Sequence, residues 1–132
     1  VADIECIVVT PEKTALSVKA SSVTIPMDDG QLGILPGRAP MIGRLGYGPM
    51  KIETTDGAQS YFIEGGFVQV TREAVNVLTD QLLTIDSISK PESEAQLEEA
   101  LAMPSTSVEL IQIKEKAVRR ARAKVAITSK TN

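Results

Sequence analysis

The spacing of apolar residues changes period once along this chain, near Ile88, and that change restricts the fold more than any other feature. From Ile4 to Ile85, short segments alternate apolar and polar side chains between turn signals, as in Val23-Thr24-Ile25-Pro26-Met27, Met50-Lys51-Ile52-Glu53-Thr54 and Tyr61-Phe62-Ile63. A period of two, punctuated by Gly, Asp and Thr, predicts the half-buried strands of a β-sandwich or flattened barrel. Asp56-Gly57 between two such segments signals a hairpin. Gly46, Gly48 and Pro49 predict a further bend, and Tyr47 between them reads as a lid on the core in preference to a surface contact.

Beyond Ile88 the period is helical. Ser89 is a candidate N-cap, with Pro91 in the first turn and Glu92 at the capping-box position, and the helix should run to about Met103. Pro104, Ser105, Thr106 and Ser107 break it, and Thr106 with Glu109 offers a second capping box. The second helix carries a stripe of Leu110, Ile113, Ala117, Ala121 and Val125, flanked by Ile111 and Val118. At roughly 1.5 Å per residue it should be about 30 Å long. The expected architecture is α+β in two parts: a β-sandwich or flattened barrel over residues 1–87 and an antiparallel helical hairpin over 88–132.

With 132 residues and 42% hydrophobic side chains, the chain fits one compact domain with an appendage, or two very small domains. A net charge of −3 gives no basic footprint for nucleic acid, and no apolar run is long enough to span a bilayer. The N-terminal residues lack a signal-peptide pattern, because Asp3 and Glu5 interrupt the apolar positions, and the single Cys6 has no internal partner; a soluble protein in a reducing compartment is expected.

The catalytic inventory is poor. There is no His, and one Cys cannot build a zinc cluster, so no metal site is expected. Cys6, within Ile4-Glu5-Cys6-Ile7-Val8-Val9, has no base nearby and reads as a small apolar strand residue. Asp28 and Asp29 precede Gly30 and read first as turn chemistry, only distantly as an acid-base pair. With no Trp and no nucleophile-base pair, a free-standing binding domain or small hydrolase is disfavoured.

The charges of the two helices are segregated. Glu92, Glu94, Glu98 and Glu99 make the first acidic; Lys114, Lys116, Arg119, Arg120, Arg122 and Lys124 make the second basic. Two readings stay open here. The charges form solvated faces, with Glu115 and Arg119 an ordinary i,i+4 pair worth roughly a few tenths of a kcal/mol, or the basic helix meets an acidic surface. Ala117, Ala121 and Ala123 leave the second helix little bulk for packing, which would let it detach.

Between Asp29 and Pro40 three glycines and two prolines surround apolar residues, in Asp29-Gly30-Gln31-Leu32-Gly33-Ile34-Leu35-Pro36-Gly37-Arg38-Ala39-Pro40. This predicts a shaped loop, equally readable as a recognition surface or as turn punctuation. The loop resembles the G-x-L-G-I/V-L-P-G-x-A-P segment of the epsilon subunit of bacterial and plastid F-type ATP synthases. Glu64-Gly65-Gly66-Phe67-Val68-Gln69-Val70 with Val75-Asn76-Val77-Leu78-Thr79-Asp80 is similar to that family's G-G-F-V-x-V and V-T-V-L-A-D. A basic helix ending Ala117-Val118-Arg119-Arg120-Ala121-Arg122-Ala123-Lys124-Val125 completes three matches in the family order.

The resemblance implies a non-catalytic subunit whose barrel binds the gamma subunit and the ring of c subunits in the rotor's central stalk, coupling proton flow to ATP synthesis. It implies a helical domain that folds against the barrel or extends along gamma to the catalytic alpha and beta subunits, inhibiting ATP hydrolysis; Arg119, Arg120 and Arg122 are its basic residues. Contact residues for the c ring and gamma carry over to Gln31 and Arg38, with Asp29 and Leu32 beside them. Family members often have an acidic residue and a His where Gln31 and Arg38 stand. The implied location is peripheral, at the cytoplasmic face of a bacterial inner membrane or the stromal face of a plastid thylakoid, held only through the complex.

Some bacterial relatives bind ATP through I/L-D-x-x-R-A at the barrel-helix junction. The second reading of this chain is therefore a nucleotide-sensing module using Asp86, Arg120 and Lys124. Here Ile85-Asp86-Ser87-Ile88-Ser89-Lys90 keeps the Asp but has Ser89 and Lys90 for the Arg-Ala pair, and Lys124 lacks the planar fork of Arg. No cofactor is expected, and ATP is at most a weak regulatory ligand.

Overall fold

The computed structural model describes residues 3–130, with side chains through Thr128. It separates into two units, one ending at Thr84 and the other beginning at Ile85.

The first unit contains eight strands: β1 (Ile4–Val9), β2 (Thr14–Ala20), β3 (Ser22–Met27), β4 (Gly30–Ile34), β5 (Met41–Thr54), β6 (Gly57–Val70), β7 (Ala74–Leu78) and β8 (Leu82–Thr84). Their hydrogen-bonded order is β2-β1-β7-β6-β5-β3-β4, with β8 added to β6, so the ladder is an open sheet and not a closed barrel. All pairings are antiparallel except β1 with β7. The two 14-residue strands β5 and β6 form the spine of the sandwich, joined by a hairpin whose Gly57 has a φ of 128° as the Asp56-Gly57 signal implies.

One sheet makes a sandwich because both spine strands change which side chains face inward. In the early part of β5, Leu45 is in the core and Met41 lies against it; later Met50 and Ile52 are inside, a change from odd to even positions. In β6 the inward residues go from Tyr61 and Ile63 to Val68 and Val70, again a change of parity. Side chains alternate strictly along an undistorted strand, so each strand must turn over once. The inversion falls at Gly46 in β5 and at Gly65 and Gly66 in β6, whose φ values are 70° and 112°. A strand crossing between layers at such a bend forms the corner of a sandwich. The predicted bend at Gly46, Gly48 and Pro49 thus exists, but inside one continuous strand and not between two. A Cβ on Gly46 would come within 2.9 Å of the Met27 carbonyl oxygen. Tyr47 is half-buried, with its ring over Gly65, as the lid reading expects.

The buried side chains are mainly aliphatic, with Phe62 the one large aromatic among them. Ile4, Cys6, Val8, Val23, Ile25, Ile34, Met50, Ile52, Ile63, Val75 and Val77 are wholly buried, with Val68 and Val70 nearly so. Side chains of Val, Leu and Ile size contribute about 1.5–3 kcal/mol each on full burial. Between the stretches of β6 that pair with β7 and β8, the Glu64 N–H faces both the Thr79 hydroxyl oxygen (3.2 Å) and the Gln81 carbonyl (3.3 Å).

The second unit opens with a 3-10 turn, Ile85–Ser87, followed by α1 (Lys90–Leu101) and α2 (Val108–Lys130), which pack on each other as a hairpin. Ser89 caps α1, its hydroxyl accepting from the Glu92 N–H at 3.4 Å. The helix ends two residues before Met103, where Ala102 forms the C-cap. At α2 the hydroxyl that accepts the Leu110 N–H, at 3.1 Å, is that of Ser107 and not Thr106, so the predicted cap moves by one residue.

The packed stripe of α2 also differs from expectation. Ile113 is 52% exposed, whereas Lys114 is half-buried. The expected Leu110, Ala117, Ala121 and Val125 are protected, as is the flanking Val118, and Lys114, Ala123, Lys124, Ile127 and Thr128 are protected with them, so Ile113 is the expected position that departs. Lysine stems can cover apolar surface while their ammonium groups remain wet, so the lysines join the stripe that Ile113 was expected to occupy.

Candidate interaction surface

Four strands in the order β1-β7-β6-β5 lay out a regular outer face. Register partners project to the same side of a sheet, so the pairings build rows across it. One row runs Val9, Leu78, Phe67, Arg44; the next runs Ile7, Asn76, Gln69, Ile42. These are the residues between the inward Cys6, Val8, Val68, Val75 and Val77, and alternation therefore turns them outward. Ile42 is 76% exposed, Leu78 56% and Phe67 53%, and Ile7 and Val9 are half-buried. The Arg44 guanidinium lies over the Phe67 ring, 5.7 Å from its centroid. An apolar strip on an exposed sheet face, bordered by polar residues, is how interaction sites are commonly built.

The predicted loop splits into two structures. Asp28 and Asp29 are the turn between β3 and β4, as their turn reading expects, and Gly30 follows with a φ of 130°. Gly30–Ile34 is then an edge strand, a correction to the loop reading: Ile25 pairs with Leu32 and Pro26 with Gln31. Only Leu35 to Pro40 is loop, entering β5 directly. Gly37, with a φ of 82°, donates its N–H to the Arg72 carbonyl at 3.4 Å, tying the loop to the β6–β7 turn.

Asp29, Gln31 and Arg38 are all exposed, while Leu32 is half-buried against the core. Asp29, Gln31 and Leu32 share the β3–β4 hairpin; Arg38 lies in the following loop, three residues before Met41. In the second unit Asp86 is exposed within the 3-10 turn, and Arg120 and Lys124 stand one turn apart on α2. Arg119 and Arg122 are exposed on the same helix. Ser89 spends its hydroxyl on the helix cap.

Burial pushes the Cys6 thiol up to about 12 from an ordinary 9.0, which keeps it a neutral core side chain. Among the described residues no cluster of acidic, His or Cys side chains is arranged to hold a metal, and no helix is long and apolar enough to cross a membrane.

Sequence reasoning did not single out the outer face. Its local signal is consecutive apolar residues inside alternating strands, as in Phe67-Val68, Val77-Leu78 and Ile7-Val8-Val9, where at least one residue of each group must face outward.

Comparison with known proteins agrees across both units. The sequence model of the ATP synthase delta/epsilon chain β-sandwich domain matches residues 3–85. The ATP synthase epsilon chain of Rhodopirellula baltica is 51% identical over 122 residues, covering 92% of this chain and 95% of that one. The epsilon chain of Granulibacter bethesdensis is 39% identical over 103 residues, covering 75% and 74%. In fold, the chain resembles a subunit in the cryo-EM structure of the Euglena gracilis mitochondrial ATP synthase OSCP/F1/c-ring, with a TM-score of 0.85 over 97% of this chain and 82% of that one at 23% identity. It also resembles a chain of the Tetrahymena thermophila mitochondrial ATP synthase central stalk and c-ring, with a TM-score of 0.69 over 98% and 96% at 19% identity. The sandwich with its spine of β5 and β6, the helical hairpin and the extent of these matches establish that this chain belongs to the ATP synthase epsilon family.

Proposed function

We infer that this chain is a non-catalytic rotor subunit that joins gamma to the c ring in the central stalk of an F-type ATP synthase, so that rotation driven by proton flow reaches the catalytic subunits. The observation that carries the reading is the outer face of β1, β7, β6 and β5, where Ile42, Phe67 and Leu78 are more than half exposed in rows of paired residues. Such an exposed apolar strip suits docking against a partner. The loop carrying Arg38 runs straight into β5, and the hairpin carrying Asp29, Gln31 and Leu32 extends from β3. We assign these exposed tips to the c ring and its junction with gamma. The chain would then be held peripherally at the cytoplasmic face of a bacterial inner membrane, or the stromal face of a thylakoid, entirely through its partners.

The helical unit is assigned a regulatory role. Its small packed residues Ser93, Ala100 and Ala121 and its exposed Arg119, Arg120 and Arg122 fit a helix pair that can rearrange and present positive charge to the alpha and beta subunits. Nucleotide sensing at Asp86, Arg120 and Lys124 remains the second reading, weakened by the use of Ser89 as a cap.

Co-expression with the organism's gamma subunit tests the main reading. Recovery of a stable pair, for the whole chain and for one ending after Ser87, is the expected result. Failure of the whole chain to associate would overturn it.

A further inference from the structure

We propose that Arg44 is the polar anchor of this outer face and receives a carboxylate side chain from the subunit that docks there. This deepens the reading above and rests on it.

Arg44 ends the row Val9, Leu78, Phe67, and its guanidinium is held over the Phe67 ring at 5.7 Å from the centroid. A ring attracts a cation through its π-face and accepts no conventional hydrogen bond from it, so the guanidinium N–H donors stay available to a carboxylate. The ring therefore orients the cation without using up its hydrogen bonds. Arg44 is exposed, and among the described residues no carboxylate forms an ion pair with it. Asp28 meets it through the backbone, the Asp28 N–H donating to the Arg44 carbonyl at 3.3 Å.

The surroundings favour an anionic partner. Arg38 lies in the loop entering β5, and Arg72, with Glu73 beside it, lies in the β6–β7 turn bonded to that loop through Gly37, so two further arginines stand at the strand end from which Ile42 and Arg44 follow. Glu5 of β1, in register with Lys19 of β2 and Ala74 of β7, is the exposed carboxylate on the far strand of this face. The chain as a whole is negative by three charges, so an exposed arginine held on an apolar face is a local feature and not a general surface property. An apolar strip ending in an oriented cation specifies its partner by chemistry: apolar side chains followed by an acidic residue.

The test is a titration of the gamma subunit with the full-length chain at low and high salt, comparing wild type with Arg44→Ala, Arg44→Lys, Arg44→Glu and Ile42→Asp. Circular dichroism spectra and melting curves show that each variant is folded. Arg44→Ala should weaken binding about 10-fold or more at low salt, a loss that shrinks at about 1 M salt where charges are screened. Arg44→Glu should weaken it further, and Arg44→Lys should fall between wild type and Arg44→Ala because it keeps the charge without the planar fork of donors. Binding of Arg44→Ala and Arg44→Glu within twofold of wild type, with Ile42→Asp still defective, would refute the anchor and leave the docking face standing. No binding by the wild type would remove both.

Discussion

Gly66 lies against the backbone of Leu78: a Cβ added to it would come within 2.8 Å of the Leu78 carbonyl carbon and 2.9 Å of the Thr79 Cα. The neighbouring strand thus occupies the space that a side chain would need, at the point where β6 turns over. A φ of 112° adds a second reason for glycine, because L-residues rarely adopt it. Gly66→Ala should destabilise the sandwich by about 3 kcal/mol or more, since both effects act together. Thermal unfolding followed by circular dichroism should show a midpoint lower by more than about 10 °C. A shift below about 2 °C would mean that the corner relaxes easily.

Cys6 gives a pH signature. Its thiol is raised from 9.0 to about 12 by burial, so the neutral form is favoured in the folded state. Its contribution is fully present below pH 9.0 and is lost as pH rises toward about 12, with a slope of up to about 1.4 kcal/mol per pH unit in that window. Cys6→Ala should lose some stability at neutral pH through lost packing, yet show a shallower alkaline decline than wild type in urea titrations from pH 8 to 11. Parallel curves would contradict the burial account.

Ser107 holds the start of α2 by accepting the Leu110 N–H at 3.1 Å. Ser107→Ala should cost about 1 kcal/mol and Thr106→Ala much less. Hydrogen exchange at the first turn of α2 should accelerate only in the Ser107 variant, and equal effects from both would place the cap elsewhere.

ATP is expected to bind the isolated chain weakly or not at all. The Ser89 hydroxyl is committed to the Glu92 N–H, and Lys124 is half-buried with a single ammonium group in place of a guanidinium fork. Calorimetric titration should give a Kd no tighter than about 1 mM, roughly 4 kcal/mol of binding. Tight binding that Asp86→Ala abolishes would favour the nucleotide-sensing reading.

The parts of the fold legible in the sequence were those encoded locally. Alternation marked the strands, Asp56-Gly57 marked the β5–β6 hairpin, and Ser89 with Pro91 marked the start of α1. The bend at Gly46 was legible, but not its place inside one strand, because a glycine at a sandwich corner and a glycine between two strands have the same local neighbours; only the parity of Leu45 against Met50 separates them. The edge strand Gly30–Ile34 was hidden by its glycines, and its pairing with β3 is what makes it a strand. Ile113 looked inward because apolar residues at spacings of three and four admit two stripes, and the alternative required burying lysine stems. The outer face escaped notice because Val9, Leu78, Phe67 and Arg44 are brought into one row by strand pairing and not by proximity in sequence.

The most direct test of the account is the affinity of the full-length chain for its gamma subunit when Ile42 and Leu78 are both changed to Asp. Both side chains are more than half exposed, so the fold should survive with a loss of less than about 1 kcal/mol. Binding should weaken by 100-fold or more, about 2.7 kcal/mol, if this strip is the docking face. Unchanged affinity in a folded double variant would contradict the central claim and move the contact to another surface.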